Sequence, residues 1–347
     1  MSQKVKINET IVSTYSYLKG NFSEDDFILN GVNNSDVLID NSGVLIDFGD
    51  EIKDNISELS CKINGGVNKD IINDLIMGKF INVKVSEENA ELNLKECLNG
   101  GVSAVTFNMK CDEDKTLYVN SKISGSGDQF NYFYYINAKR NSKVTLIVFT
   151  SSSSKGFINV LGEIEDDAHV EVLFVNVNKN NVYTNCELYL NGNKSSGKID
   201  VCYICTEDFK YDYNLTSAML GKESNALING KGILLDNSKK IFRGAIDFKK
   251  GCLNANGNET EEVIVLSKNV VNQSLPLLLC NEKNVKGSHG FTANSINKDK
   301  VFYLLSRGFT EKQAKGLILQ GKFLNILSKI RDKEIINKFM DILMEAI

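Results

Sequence analysis

From about residue 88 to about residue 285 the chain repeats one short pattern. Runs such as "SAVTFNMK", "FNYFYYINAK", "KVTLIVFT", "HVEVLFVNV", "NCELYLNG", "KIDVCYICT" and "EEVIVLS" follow one another roughly every ten to fourteen residues. Most alternate apolar and polar positions, the mark of a strand with one buried face. Strands this short and this evenly spaced suit a sandwich, a barrel or a solenoid. About fourteen such runs are many for one sandwich, whereas a solenoid absorbs any number, because each coil buries its face against the next. The turn chemistry agrees. There is one proline in the whole chain, and the breaks between runs read "NGG", "NGN", "NGK" and "DNS", turns made by Asn, Gly, Asp and Ser rather than by proline.

The ends of the chain read differently. Residues 1–87 are mixed. "INETIVSTYSYLKG" suits a short helix or an extended arm, "SDVLIDNSGVLIDFGD" two short strands about an Asn-Ser-Gly turn, and "NKDIINDLIMGKF" has helical apolar spacing. The β core is expected over 88–290 and a helical domain over 291–347. In the latter, Asn297 is the expected N-cap of a first helix and Gly308 its stop. Thr310-Glu311-Lys312-Gln313 opens a second helix as a capping box, and "DKEIINKFMDILMEAI" places residues 335, 336, 339, 342, 343 and 347 on one stripe.

Composition removes several functions. A net charge of −4 over 347 residues, with both signs interspersed, argues against a nucleic-acid binder. The first twenty residues lack the apolar core of a signal peptide, and no apolar run approaches a membrane span. The eight cysteines are therefore expected to be reduced, and the location cytoplasmic. No G-x-x-x-x-G-K-[ST] occurs, and "GSGD" at 125–128 does not complete a dinucleotide fingerprint.

Three motifs remain. Cys202 and Cys205 form a C-x-x-C, but inside an expected strand they point to opposite faces and cannot converge on a metal. His169 opens the run "HVEVLFVNV" and reads as a surface histidine at a strand edge. His289, in "VKGSHGFTA", stands between glycines 287 and 290 on an expected connector between the β core and the helices. On residue type alone the plainer reading is a residue that caps the β core, and the alternative is a ligand or acid/base role for its ring.

From Tyr211 onward three stretches carry a family resemblance. They are "YDYNLTSAMLGKESNALINGKGILLDNSKKIFRGAIDF", the run containing Pro276, and "SHGFTANSINKDKVFYLLSRGFTEKQAKGLILQGKF". Together they resemble the SufB and SufD subunits of the SUF iron–sulfur cluster assembly system. Lys231, Gly232, Asp236, Phe242, Gly244 and Ile246 fall where that pattern wants them. The resemblance implies a mainly β protein, a right-handed parallel β-helix with a small mixed N-terminal region and a C-terminal helical domain. Ser288-His289-Gly290 favours the SufD type. It implies a scaffold rather than an enzyme, paired with a SufB-type subunit through the C-terminal end of the β core. It further implies a SufC-type ATPase bound through residues 297–347, and a transient iron–sulfur cluster shared at the subunit interface, with His289 as its ligand in this chain; whether the complex also carries a flavin stays open. Two departures stand out. Gly287 occupies the position of a cysteine common in SufD chains, and the SufB-type cluster-building cysteine is absent from "NGNETEEVIVLS", where Glu261 and Glu262 lie. The rival readings are a homodimeric SufB-like scaffold and a β-helix carbohydrate lyase or hydrolase. The missing cysteine speaks against the first, and the scattered acids against the second.

Overall fold

The computed structural model describes residues 2–12, 14–29, 31, 32, 37–48, 71, 75 and 78–347. Among these the chain forms a parallel β-solenoid of about eight turns followed by three helices. Two sheets wind in alternation. The first holds β4 (Val44–Asp47), β5 (Lys79–Val85), β7 (Val102–Cys111), β9 (Gln129–Ala138), β11 (Lys155–Ile164), β13 (Val182–Leu190), β15 (Lys210–Met219), β17 (Lys239–Phe248) and β19 (Val271–Cys280), in that spatial order. The second holds β3 (Val37–Ser42), β6 (Asn89–Asn99), β8 (Thr116–Ser126), β10 (Lys143–Ser152), β12 (His169–Asn176), β14 (Ser196–Cys205), β16 (Asn225–Leu234), β18 (Asn256–Val265) and β20 (Lys286–Asn294). A separate hairpin-like pair, β1 (Ser2–Ile7) and β2 (Ser23–Ile28), runs antiparallel.

Partners in the parallel ladders lie 26 to 32 residues apart, from Val144 opposite Val170 to Lys239 opposite Val271. One coil is therefore two of the short runs seen in the sequence. Its sharp corner is made by a non-glycine residue in the left-handed region at Asp114, Asn141, Asp167, Lys194, Glu223 and Asn254, once per coil. These corners stack: the Asn141 amide donates to Asp166 O, Asp167 to Asn193 O, and Lys194 to Lys222 O. Each left-handed residue thus has its amide satisfied by the next coil, which offsets its backbone strain and explains how the turns dispense with proline. Pro276 itself lies in β19, the edge strand of the first sheet, where a missing N–H costs least.

Inward side chains from both sheets form one continuous core, with Phe107 and Tyr134 on adjacent strands stacked at 4.9 Å. The simple alternation of buried and exposed positions fails in the middle of the chain. In β13 and β15 all but one residue each is buried, because the outer faces are covered too. Over the first sheet lies the N-terminal arm, where Phe27, Val5 and Ile7 pack on Phe157 and Tyr183. Over the second lie α2 (Glu311–Leu327) and α3 (Lys333–Ala346), whose Leu319, Phe323, Ile326, Ile335, Phe339 and Leu343 meet Ile147, Leu173, Cys202 and Ile233. Cys202 faces the helices and Cys205 the solenoid interior, so the C-x-x-C is two separate core residues.

The helix signals hold. Asn297 caps α1 (Lys298–Ser306), accepting from the Lys300 amide at 3.0 Å, and Gly308 ends it at φ +91°. Thr310 and Gln313 form the reciprocal capping box of α2. At the N-terminus, "INETIVSTYSYLKG" resolves into the end of β1 and a single 3₁₀ turn, Ser16–Leu18. The two strands about Gly43 are present, but they do not form a hairpin. β3 pairs with β6 and β4 with β5, both antiparallel, so they start the two sheets. The strands of the solenoid therefore begin upstream of residue 88. Of the helix expected in "NKDIINDLIMGKF", Ile71 and Leu75 are helical and buried, while Lys79 and Phe80 at its end already belong to β5; residues 68–70, 72–74, 76 and 77 lie outside the described residues.

Candidate functional site

The two ends of the solenoid differ. At the N-terminal end β3 and β4 pair antiparallel with β6 and β5 and are the last strands of the two sheets. At the C-terminal end β19 and β20 each have one strand neighbour among the described residues, and Tyr15 of the N-terminal arm donates to Pro276 O of β19. All but one residue of β20 is exposed.

This is where His289 sits, and its setting corrects the sequence expectation. "KGSHGFTAN" is not a connector but the last strand, paired in parallel with β18 so that Glu259 opposes His289 and Glu261 opposes Phe291. Local glycine and serine content argues for a turn. The free ladder edge of β18 overrides it by offering a full set of backbone partners. In a parallel pair, opposed residues share a face. Glu259, Glu261 and Val263 are the buried, inward positions of β18, so His289 and Phe291 stand on the inward face of the last coil. The rings agree: His289 lies 6.5 Å from Phe291, which lies 6.3 Å from the core residue Phe242.

Beneath that open coil is a polar cluster inside the solenoid. Lys240, wholly buried, reaches Glu261 at 2.6 Å and Ser274 Oγ at 3.0 Å. Ser274 and Tyr203 also donate to Glu261, at 2.6 and 3.2 Å. Burial pulls the Lys240 ammonium below the usual lysine range, against the opposing pull of Glu261. Glu259 shares the compartment without a cation. Burial, and then the charge of Glu261, push its carboxyl up to about 8, and its Oε1 has no hydrogen-bond partner. The sequence singles out Glu261 and Glu262 but not Lys240, Tyr203 or Glu259. The available signal is period two: charged residues at the inward positions of strands in a largely apolar interior. Glu262 instead faces outward and pairs with Lys322 of α2.

Other candidates separate from this end. His169 opens β12, half-buried rather than on the surface, and burial lowers its imidazole from the usual range. Cys252 is buried in the corner before β18, and Cys280 is exposed at the end of β19. No group of three or more His, Cys, Asp or Glu side chains able to hold a metal converges among the described residues.

The helical tail divides in two. Phe323, Ile326, Phe339 and Leu343 are spent on the β body, and Lys329 ties α2's end to Glu171 and Asp200 at 2.8 and 2.5 Å. α1 buries nothing. Phe302 is 73% exposed, and Tyr303, Leu305, Phe309, Leu317 and Leu324 of the same helical region are also exposed, large apolar side chains of the kind that mark an interaction face. No helix among the described residues is long and apolar enough to cross a membrane.

A family model described as "SUF system FeS cluster assembly, SufBD core domain" matches residues 85–322, well over half of the chain. The chain belongs to the SufBD family. Its similarity to individual SufBD proteins is low. It is 22% identical over 225 residues to the iron–sulfur cluster assembly protein SufD of Bacillus subtilis, covering 63% of this chain and 52% of that one. To SufD of Escherichia coli it is 27% identical over 103 residues, 30% of this chain and 24% of the relative. A SufBD family protein of Staphylococcus saprophyticus is 24% identical over 201 residues, 50% and 43% of the two chains. The chain thus spans about half the length of these SufBD relatives or less. The matched region runs from the first full coils to α2, and so contains both the open end and the inner polar cluster.

Proposed function

We propose that this chain is the SufD-type subunit of a SUF cluster-assembly complex, a scaffold without a catalytic step of its own. The observation that carries this is the asymmetry of the solenoid. One end finishes in short antiparallel strands, while the other finishes in two parallel edge strands that carry an inward-facing, exposed His289. A SufB-type partner continues the sheets at that end, since unpaired edges are templates for further strands. The imidazole of His289 then meets the partner's ligands around a transient iron–sulfur cluster, which is cargo rather than a resident group. One histidine from this side makes a weakly held site, suited to release. The apolar face of α1 receives a SufC-type ATPase.

Co-expression with SufB-type and SufC-type chains, followed by anaerobic iron and sulfide analysis, tests the reading. A ternary complex carrying iron and sulfide is expected. A stable homodimer that builds clusters alone would instead support the SufB-like reading, and activity on polysaccharide would support the enzyme.

A further inference from the structure

The two outer strands of the open end are not equally free. Along a strand paired on one side, the backbone groups of alternate residues face the neighbour, and those between them face away. Val271 and Asn281 donate to Ser238 O and Phe248 O, both at 2.9 Å, so the odd-numbered residues of β19 face β17. The outward groups of β19 belong to Asn272, Ser274, Pro276, Leu278 and Cys280. In β20 the Lys286 amide reaches Ala255 O at 2.9 Å, so the outward groups belong to Gly287, His289, Phe291 and Ala293. Each of those four has an N–H to offer to another strand. At the middle of β19 Pro276 has none, and its outward carbonyl already accepts from the Tyr15 hydroxyl.

Tyr15 belongs to the loop that joins β1 to β2, and both ends of that loop are held by one buried carboxylate. Asn8, just after β1, and Ser23, the first residue of β2, donate to Asp212, Asn8 at 2.8 Å. Arg243 pairs with the same carboxylate and donates from Nε to Gly20 O at 2.6 Å. Gly20 is packed so closely on β19 that a Cβ there would collide with the Leu275 side chain. The Tyr15 amide donates to Asn21 Oδ1 at 2.7 Å, which fixes the ring's approach. We propose that this loop is a latch on the open end. It shuts the β19 edge, so that an incoming strand pairs first with β20, and the first sheet is continued only after Tyr15 lifts. The hydroxyl occupies a carbonyl that a partner's N–H would otherwise take, and the proline beside it withholds the matching donor. The inference rests on the reading of the open end as a surface that adds strands, and puts its two edges in order.

Trypsin tests the latch in the chain alone, because cleavage after the exposed Lys19 requires the buried Gly20 to lift. Tyr15→Phe loses one hydrogen bond and should be cut there about two- to tenfold faster at an unchanged melting temperature, read by mass spectrometry of the peptide ending at Lys19. Tyr17→Phe, whose ring is exposed, should be cut at the parent's rate. Amide exchange in a complex with a SufB-type chain tests the order of the edges. The amides of His289 and Phe291 should slow in the parent complex, whereas those of Ser274 and Leu278 should slow only with Tyr15→Ala. Cleavage of Tyr15→Phe at the parent's rate, or equal slowing at both strands in the parent complex, overturns the inference. Slowing at neither strand defeats the reading of the open end instead, and the cleavage rates still decide whether the loop is latched.

Discussion

Replacing Lys240 by Met should be among the more damaging single changes in the β body, and the geometry says how damaging. The ammonium is fully buried and lies 2.6 Å from Glu261, itself 2% exposed. Methionine matches the stem in length and fills the same space, so little of the cost is packing. What remains is a buried carboxylate without its cation. Removing one partner of such a pair costs about 3–5 kcal/mol. Ser274 and Tyr203 still donate to Glu261, which places the expected loss near 3 kcal/mol. Against a typical total of about 5–15 kcal/mol that is a large share. Glu261→Leu should cost less, because burial already lowers the pKa of Lys240 and the amine can shed its proton. The double variant should return to within about 1 kcal/mol of the parent or exceed it, as replacements of buried pairs by apolar residues do. Urea titration of the four proteins, read by circular dichroism, gives the cycle. A Lys240→Met loss below about 1 kcal/mol, or a double variant no better than the worse single one, would refute the reasoning.

His289→Ala should leave melting temperature and subunit assembly unchanged while strongly reducing iron and sulfide loading of the complex; His169→Ala, far from the open end, should do neither. Phe302→Glu should abolish capture of the ATPase in a pull-down at unchanged thermal stability, since the ring is exposed. Point changes are the right tool: deleting 297–347 would strip α2 and α3 from the second sheet and uncover Ile147, Leu173 and Ile233, so that deletion should destabilise the β body. Glu96, buried, has its carboxyl pushed up to about 7, mainly by burial and against the bond from Ser103. The folded state therefore holds this proton where the unfolded chain has lost it. Its contribution is present below the usual glutamate range and is lost as pH rises toward 7. Glu96→Gln should flatten that part of the stability–pH curve, worth on the order of 3 kcal/mol across the window; an unchanged slope in chemical denaturation between pH 4.5 and 7 refutes it.

The strand-by-strand architecture was legible because each signal was local. Period-two runs, Asn and Asp corners and the caps at Asn297 and Thr310 are decided by neighbours a few residues away. What escaped depends on residues a coil or more apart. The strand at Lys286–Asn294 exists because β18 offers an edge, not because its own residues favour extension. Arg243 reaches Gly20 O at 2.6 Å and pairs with Asp212, to which Asn8 also donates at 2.8 Å; nothing in the sequence near residue 8 or residue 243 announces the other. Glu259 was hidden for the same reason. Its meaning lies in having no partner, which only the assembled coil reveals.

The short antiparallel strands β3 and β4 also set how many copies can join. A solenoid with two bare ends could add units at either one and grow into a fibre. Here β3 and β4, six and four residues long, pair antiparallel with the first coil and end the parallel ladder on one side, while β19 and β20 leave it continuable on the other. The parallel ladder can then be continued at one end only, and two such ends brought together would exhaust each other. Edge pairing terminates at two chains, and polymerisation is stopped by geometry rather than by affinity.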